Sequence, residues 1–294
     1  TTPYTVATDI NGNEQTGTGI LALSTVGPVT FGAGYFNNTN LDQSIEINAQ
    51  KGLGLASQLI NGTPGATDVL DGGSDMYVAT VQGDLDFVKL EAWYAGLQET
   101  FNTYTLAATS TLDLAENAKL GLEARYVNLK LKQDAADGIS GFTDTETKND
   151  MFRFAVDGKF SIVNARLAYT KTGKNGGLTA LDQDAKNTSL GWAITSNGAV
   201  DADYFQAALG ADILDNLNFT LHYGNIKAKE NAGRNIATGL QNYKAQEVYG
   251  QLTYKMSKNL TTYLRYGTYE QKEVSTGDKD MDQTRGRLQV AYTF

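Results

Sequence analysis

The stretch RGRLQVAYTF (285–294) decides how the rest of the chain is read. Leu288, Val290, Tyr292 and Phe294 fall on one face, while Arg287, Gln289, Ala291 and Thr293 fall on the other. Alternation of this kind is the mark of a strand with one apolar and one wet side. Working outward, 247–256 sets Val248, Leu252, Tyr254 and Met256 against Glu247, Gln251, Thr253 and Lys255. In 217–224, Leu217, Phe219, Leu221 and Tyr223 oppose Asn218, Thr220 and His222. In 152–160, Phe152, Phe154, Val156 and Phe160 oppose Arg153, Asp157 and Lys159. Weaker copies lie at 17–26, 29–37, 76–84, 85–97, 104–114, 117–132, 162–173, 203–213 and 260–273. The total is about thirteen strand candidates, most near the ~9–11 residues a tilted strand needs to cross a bilayer.

The connections alternate in length. Short turns fall at Gly27–Pro28, Gly83–Asp84, Ala115–Glu116, Ser161, Asp215–Asn216 and Lys258–Asn259. Long polar segments fall between them, at 38–75, 133–149, 174–202, 229–244 and 275–284; only 98–101 is short where a long link is due. Short turns at one end and long loops at the other belong to outer-membrane barrels, whereas a soluble sandwich has no reason to keep such parity. The sequence therefore predicts an all-β fold, a transmembrane antiparallel β-barrel forming a single domain over 1–294.

Composition agrees. Cysteine is absent, which excludes disulfides and thiolate metal sites. The net charge of −9 argues against nucleic acid as a partner and for a surface or pore that attracts cations. No apolar run approaches the roughly 18 residues of a membrane helix. Mean hydropathy is only −0.34, as it would be where every second strand residue meets water. Residues 1–16 read as a polar loop, without a signal peptide. Barrels in single bacterial chains normally close on an even strand number. About thirteen strands therefore lead us to expect that N-terminal strands are missing from this sequence; a fourteenth strand in Tyr4–Asp9 is the alternative.

Several segments resemble the major outer membrane proteins of Campylobacter and related bacteria: GTGILALSTVGPVTFGAGYF (17–36), YVATVQGDLDFVKLEAWYAG (77–96), YTLAATSTLDLAENAKLGLEARYVN (104–128) and the C-terminal LTTYLRYGTYEQKEV…TRGRLQVAYTF. The terminal aromatic, Phe294 with Tyr292 two before it, resembles the insertion signal of outer-membrane barrels. The resemblance implies a bacterial outer-membrane porin, a homotrimer of eighteen-stranded barrels that favours cations. Its surroundings would be outer-membrane lipid and lipopolysaccharide, and its cargo ions and small hydrophilic solutes. It also implies that 1–16 is the end of an inward-folded loop narrowing the pore.

Charges facing hydrocarbon at mid-bilayer would cost roughly 2–4 kcal/mol. Alternation therefore assigns Lys89, Glu91, Lys119, Glu123, Arg125, Arg153, Arg166, Glu247, Arg265 and Arg287 to the lumen. There they either solvate and pair with one another or set a transverse field that orients dipolar solutes. Loop carboxylates are the selectivity candidates: Asp9 and Glu14 in the expected constriction loop, Asp42 and Glu46 at the start of 38–75, with Asp68, Asp71 and Asp75 further along. If these loops meet, Asp9, Glu14, Asp42 and Glu46 could attract cations or hold Ca²⁺ through oxygen ligands; otherwise they are solvated loop carboxylates. Asp278-Lys-Asp280-Met-Asp282 begins like a calcium loop but lacks the later glycine and glutamate, and reads as a surface loop. Tyr77, Tyr94, Tyr126, Tyr169, Tyr223, Tyr254, Tyr266 and Tyr292 suit interfacial girdles.

His222, the only histidine, is expected to face the lumen, whereas a barrel lipase would need its catalytic group on the outer wall. No cofactor is required and no enzyme is expected. Two rivals remain: a surface adhesin acting through its long loops, which stepwise ion current would distinguish, and a soluble β-rich binding protein, which would not depend on detergent.

Overall fold

A computed structural model describes residues 2–7, 14–40, 72–138, 145–229, 235–236 and 238–293. Its strands are β1 (Gly17–Val26), β2 (Val29–Thr39), β3 (Met76–Asp84), β4 (Lys89–Leu97), β5 (Phe101–Ala115), β6 (Ala118–Leu131), β7 (Lys148–Phe160), β8 (Val163–Thr172), β9 (Asp203–Leu214), β10 (Leu217–Ala228), β11 (Tyr243–Lys255), β12 (Leu260–Glu273) and β13 (Lys279–Tyr292). They pair antiparallel, each with its sequence neighbour, in one 13-stranded sheet. The sheet is not closed: β1 and β13 do not pair with each other. Among the described residues the one helix is α1 (Gln133–Gly138), which follows β6.

The alternation in the sequence becomes the two faces of this sheet. Phe154, Leu167, Leu209, Phe219, Leu221, Leu264, Leu288 and Val290 are all exposed on the outer face. Cross-strand pairs such as Phe219 with Leu252, Leu252 with Leu264 and Leu264 with Leu288 extend that apolar surface from strand to strand. In water this much exposed apolar area would be a liability; against lipid it is the lowest-energy arrangement. The candidate girdle tyrosines lie on the same face. The Tyr35 and Tyr77 rings pack at a tilt (centroids 5.3 Å apart), as do Tyr104 and Tyr126 (6.1 Å).

Strand boundaries differ from expectation in several places: β7 begins at Lys148, β10 ends at Ala228 and β11 begins at Tyr243, each further toward the long loops. Leu85–Val88 is a turn rather than the start of a strand, because Asp86 takes φ = 61° and Leu85 N–H closes onto the Val88 carbonyl. Residues 279–282, expected to form a surface loop, are instead the first residues of β13, paired with β12 through a bulge. Gln271 Nε2 donates to Asp280 Oδ2 at 2.6 Å and draws this segment into the ladder. At the end with the short connections, Gly27 has φ = 58° in the link between β1 and β2, a conformation free of strain only without a Cβ.

A buried core sits on the inner face near the long-loop end. Phe101, Leu129, Leu131, Tyr204, Ile226 and Tyr243 project inward there and meet Tyr4, Leu178, Leu181 and Ile194 from segments outside the sheet.

Candidate pore constriction

The connection between β8 and β9, residues 173–202, lies against the inner face of the sheet. Leu178, Ala180, Leu181, Gln183, Asn187, Ser196, Asn197 and Ala199 are fully buried. Each apolar side chain it places in the core gains roughly 1.5–3 kcal/mol, which offsets the cost of ordering the segment. The sequence marked 174–202 only as one more long polar connection, and the resemblance implied a narrowing by 1–16. One signal was present: Leu178, Leu181, Leu190, Trp192, Ile194 and Val200 are more apolar side chains than a hydrated loop has use for.

Polar anchors fix the loop from both sides. On one side stand the inward-facing residues of β5 to β7. Arg153 donates through Nη2 to Glu123 Oε1 at 2.6 Å and to the Lys186 carbonyl at 2.9 Å, and through Nη1 to the Thr188 carbonyl. Arg125 Nη1 donates to Asn187 Oδ1 at 3.3 Å, and Asn187 Nδ2 donates to Thr105 Oγ1 at 2.7 Å. On the other side Glu247 of β11 accepts the backbone N–H of Trp192 at 3.0 Å and of Ala193 at 2.7 Å. β7 and β11 thus grip the same loop, which requires the sheet between them to curve around it.

The N-terminal segment docks on the same loop. Leu181 and Asn187 N–H donate to the Tyr4 and Pro3 carbonyls, each at 2.8 Å. Asp182 accepts Val6 N–H at 3.0 Å and Gln15 Nε2 at 2.9 Å. Tyr4 is 1% exposed and packs edge-on against Phe101; burial pushes its phenol above the ordinary range.

The charged residues assigned to the lumen all lie in the inward phase, but they separate into groups. Toward the short-turn end Lys89 pairs with Asp84 at 3.1 Å and Lys119 with Asp113 at 3.2 Å, both pairs exposed. Glu91 accepts the Trp93 indole N–H at 3.3 Å. At mid-height Glu123 is shared by Arg125 (3.0 Å), Arg153 (2.6 Å) and Arg166 (3.7 Å), and Arg166 also reaches Asp157 at 2.6 Å. Across the sheet Arg265 bonds Gln251 Oε1 at 2.6 Å and lies over the rings of Tyr249, Tyr263 and Trp192, 4.9–5.3 Å from their centroids. Arg287 reaches the Tyr263 hydroxyl at 3.5 Å. His222 stacks on Tyr249 at 4.5 Å, facing the lumen. A cavity of about 310 Å³ lies between the two groups, lined by Arg153, Arg166, Gln206, His222, Glu247 and Tyr249.

Of the candidate loop carboxylates, Glu14 and Asp75 are described: Glu14 is exposed, and Asp75 accepts the Tyr35 hydroxyl at 3.0 Å. Asp9, Asp42, Glu46, Asp68 and Asp71 lie outside the described residues, as does Phe294. Among the described residues no three carboxylate or imidazole groups converge to hold a metal ion.

Comparison with solved structures finds a similar fold in outer membrane proteins of other bacteria. OprD of Pseudomonas aeruginosa superposes with a TM-score of 0.69 at 17% identity, covering 99% of this chain and 72% of its own. OccAB2 of Acinetobacter baumannii gives 0.67 at 18%, covering 99% and 71%. OpdK of P. aeruginosa, solved with vanillate, gives 0.66 at 15%, covering 96% and 69%. No curated protein sequence matches the chain. The family model described as Campylobacter major outer membrane protein matches residues 3–294, so the chain belongs to that family and is a β-barrel porin of the bacterial outer membrane.

Proposed function

We propose that the protein is a cation-preferring diffusion channel that sieves small hydrophilic solutes across a transverse field, with no covalent step. The observation that carries this reading is the 173–202 loop folded onto the inner wall between Arg153 and Glu247, leaving a charged cavity beside it. Such a loop narrows the passage and brings solutes within range of fixed charges, where sieving and electrostatics act together. The net charge of −9 supports the cation preference, because an overall negative potential raises the local concentration of cations. Arg125, Arg153 and Arg166 oppose it less than their number suggests, since Glu123 and Asp157 offset two of their three charges and loop carbonyls accept from Arg153. Family resemblance supports assembly as a homotrimer, which crosslinking in native membranes would test.

Planar-bilayer recording under a KCl gradient tests the reading. Stepwise conductance with a cation-selective reversal potential is expected. An anion-selective potential would overturn the cation preference, and the absence of channel steps would overturn the porin function itself.

A further inference from the structure

On the outer face, at the long-loop end, lysines stand directly opposite lysines. Lys227 of β10 is paired with Lys244 of β11, and Lys130 of β6 with Lys148 of β7. All four are exposed. Directly opposed side chains on adjacent strands have Cβ atoms about 4.5–5.5 Å apart, and like charges at that spacing are unfavourable. Among the described residues no carboxylate lies within ion-pair distance of any of the four. Neighbouring lysines are treated differently: Lys171 is held by Asp201 and Asp203, and Lys272 by Glu270, while Lys279 bonds both Glu270 and Asp282. Asp203 of β9 stands directly opposite Lys227 in the ladder, but its carboxylate is engaged by Lys171 and the Tyr169 hydroxyl.

Both pairs also sit at one level. Lys227 and Lys244 each lie four residues beyond an outward belt residue, Tyr223 and Val248; Lys130 and Lys148 stand at the same offset from Tyr126 and Phe152. Four residues of strand tilted about 45° rise roughly 9–10 Å above the belt. That is the headgroup layer, on the side of the long loops and hence on the outer leaflet. An ammonium on a flexible stem is a suitable point-charge partner for phosphate.

We propose that the opposed pairs Lys227/Lys244 and Lys130/Lys148 are clamps for the phosphate groups of the outer-leaflet glycolipid, each phosphate sitting between two ammonium groups and relieving their repulsion. The clamps are a feature of the outer wall, independent of the channel's selectivity, and would fix the barrel's height and lipid neighbours.

The test uses the full-length protein in neutral detergent, titrated with bisphosphorylated lipid A, with the same lipid stripped of phosphates, and with inorganic phosphate alone. The quadruple variant K130Q/K148Q/K227Q/K244Q is compared with wild type and with K258Q, an exposed lysine in the connection between β11 and β12 at the opposite end. Wild type and K258Q should bind bisphosphorylated lipid A alike, and the quadruple variant roughly thirty-fold more weakly. The dephosphorylated lipid should not distinguish them. A second reading is thermal: without lipid A the K227Q/K244Q variant should unfold at a higher temperature than wild type, and with saturating lipid A the order should reverse. Equal lipid A affinity for wild type and quadruple variant would overturn the proposal. So would competition by inorganic phosphate at the concentration at which lipid A binds, since that would indicate a free-anion site.

Discussion

Glu247 Oε2 accepts the backbone N–H of Ala193 at 2.7 Å, joining β11 to a loop that leaves the sheet three strands earlier. The same carboxylate takes Trp192 N–H, so two amides that water would otherwise satisfy are satisfied by a single buried side chain. The shape of the passage depends on this contact and its counterpart at Arg153.

Replacing Glu247 with alanine should therefore loosen the loop. Each buried amide left unpaired costs about 1–3 kcal/mol, and the Trp192–Ala193 segment would seek water in the lumen. The expected record is a larger mean conductance with added open-channel noise, while heat-modifiable mobility is retained. Wild-type conductance and noise would mean that the other anchors suffice.

Glu123 carries a different load, because three guanidinium groups share it. Glu123→Gln leaves those cations without their common counter-charge, and removing one partner from a buried charge network costs about 3–5 kcal/mol. Lower thermal stability and a reversal potential displaced toward anions are expected together. By contrast Lys119→Gln breaks an exposed pair worth about 0–1 kcal/mol, and its melting temperature should stay close to wild type.

A Cβ on Gly177 would stand 2.0 Å from the Ala199 carbonyl oxygen, a backbone atom with nowhere to go. Gly177→Ala should force the two arms of the loop apart and raise conductance. Gly158→Ala, where a Cβ meets nothing within 4 Å, serves as the silent control. Equal conductance in the two variants would show that the loop tolerates separation.

Leu264 and Arg265 are adjacent in sequence and face opposite solvents, the first 52% exposed on the outer wall and the second turned toward Trp192 and Tyr249. Leu264→Arg should destabilise the folded barrel in bilayers by about 2–4 kcal/mol if it lies near the midplane. Arg265→Leu should fold normally and move the reversal potential toward cations. If refolding yields came out in the opposite order, the assignment of faces would be wrong.

Much of the fold was legible because a strand in a barrel wall must switch solvent at every residue, and a one-residue slip exposes a charge to lipid. That constraint placed Lys89, Lys119, Arg153, Arg265 and Arg287 in the inward phase from spacing alone. It did not distinguish them further. Whether Lys119 faces an exposed Asp113 or Arg153 grips a loop carbonyl depends on how far along the lumen each one sits, and alternation carries no such coordinate.

The chain's order of residues thus determined the strands, the alternation of short and long connections, and the two faces of the wall, because each follows from neighbours along one strand or the next. Only the tertiary structure decided that 173–202 turns inward, that Asp182 receives Val6 and Gln15, and that Glu247 meets Ala193. These contacts join residues 54 or more apart in sequence. They exist because the curvature of the whole sheet brings distant strands to either side of one loop, and no local pattern encodes that curvature.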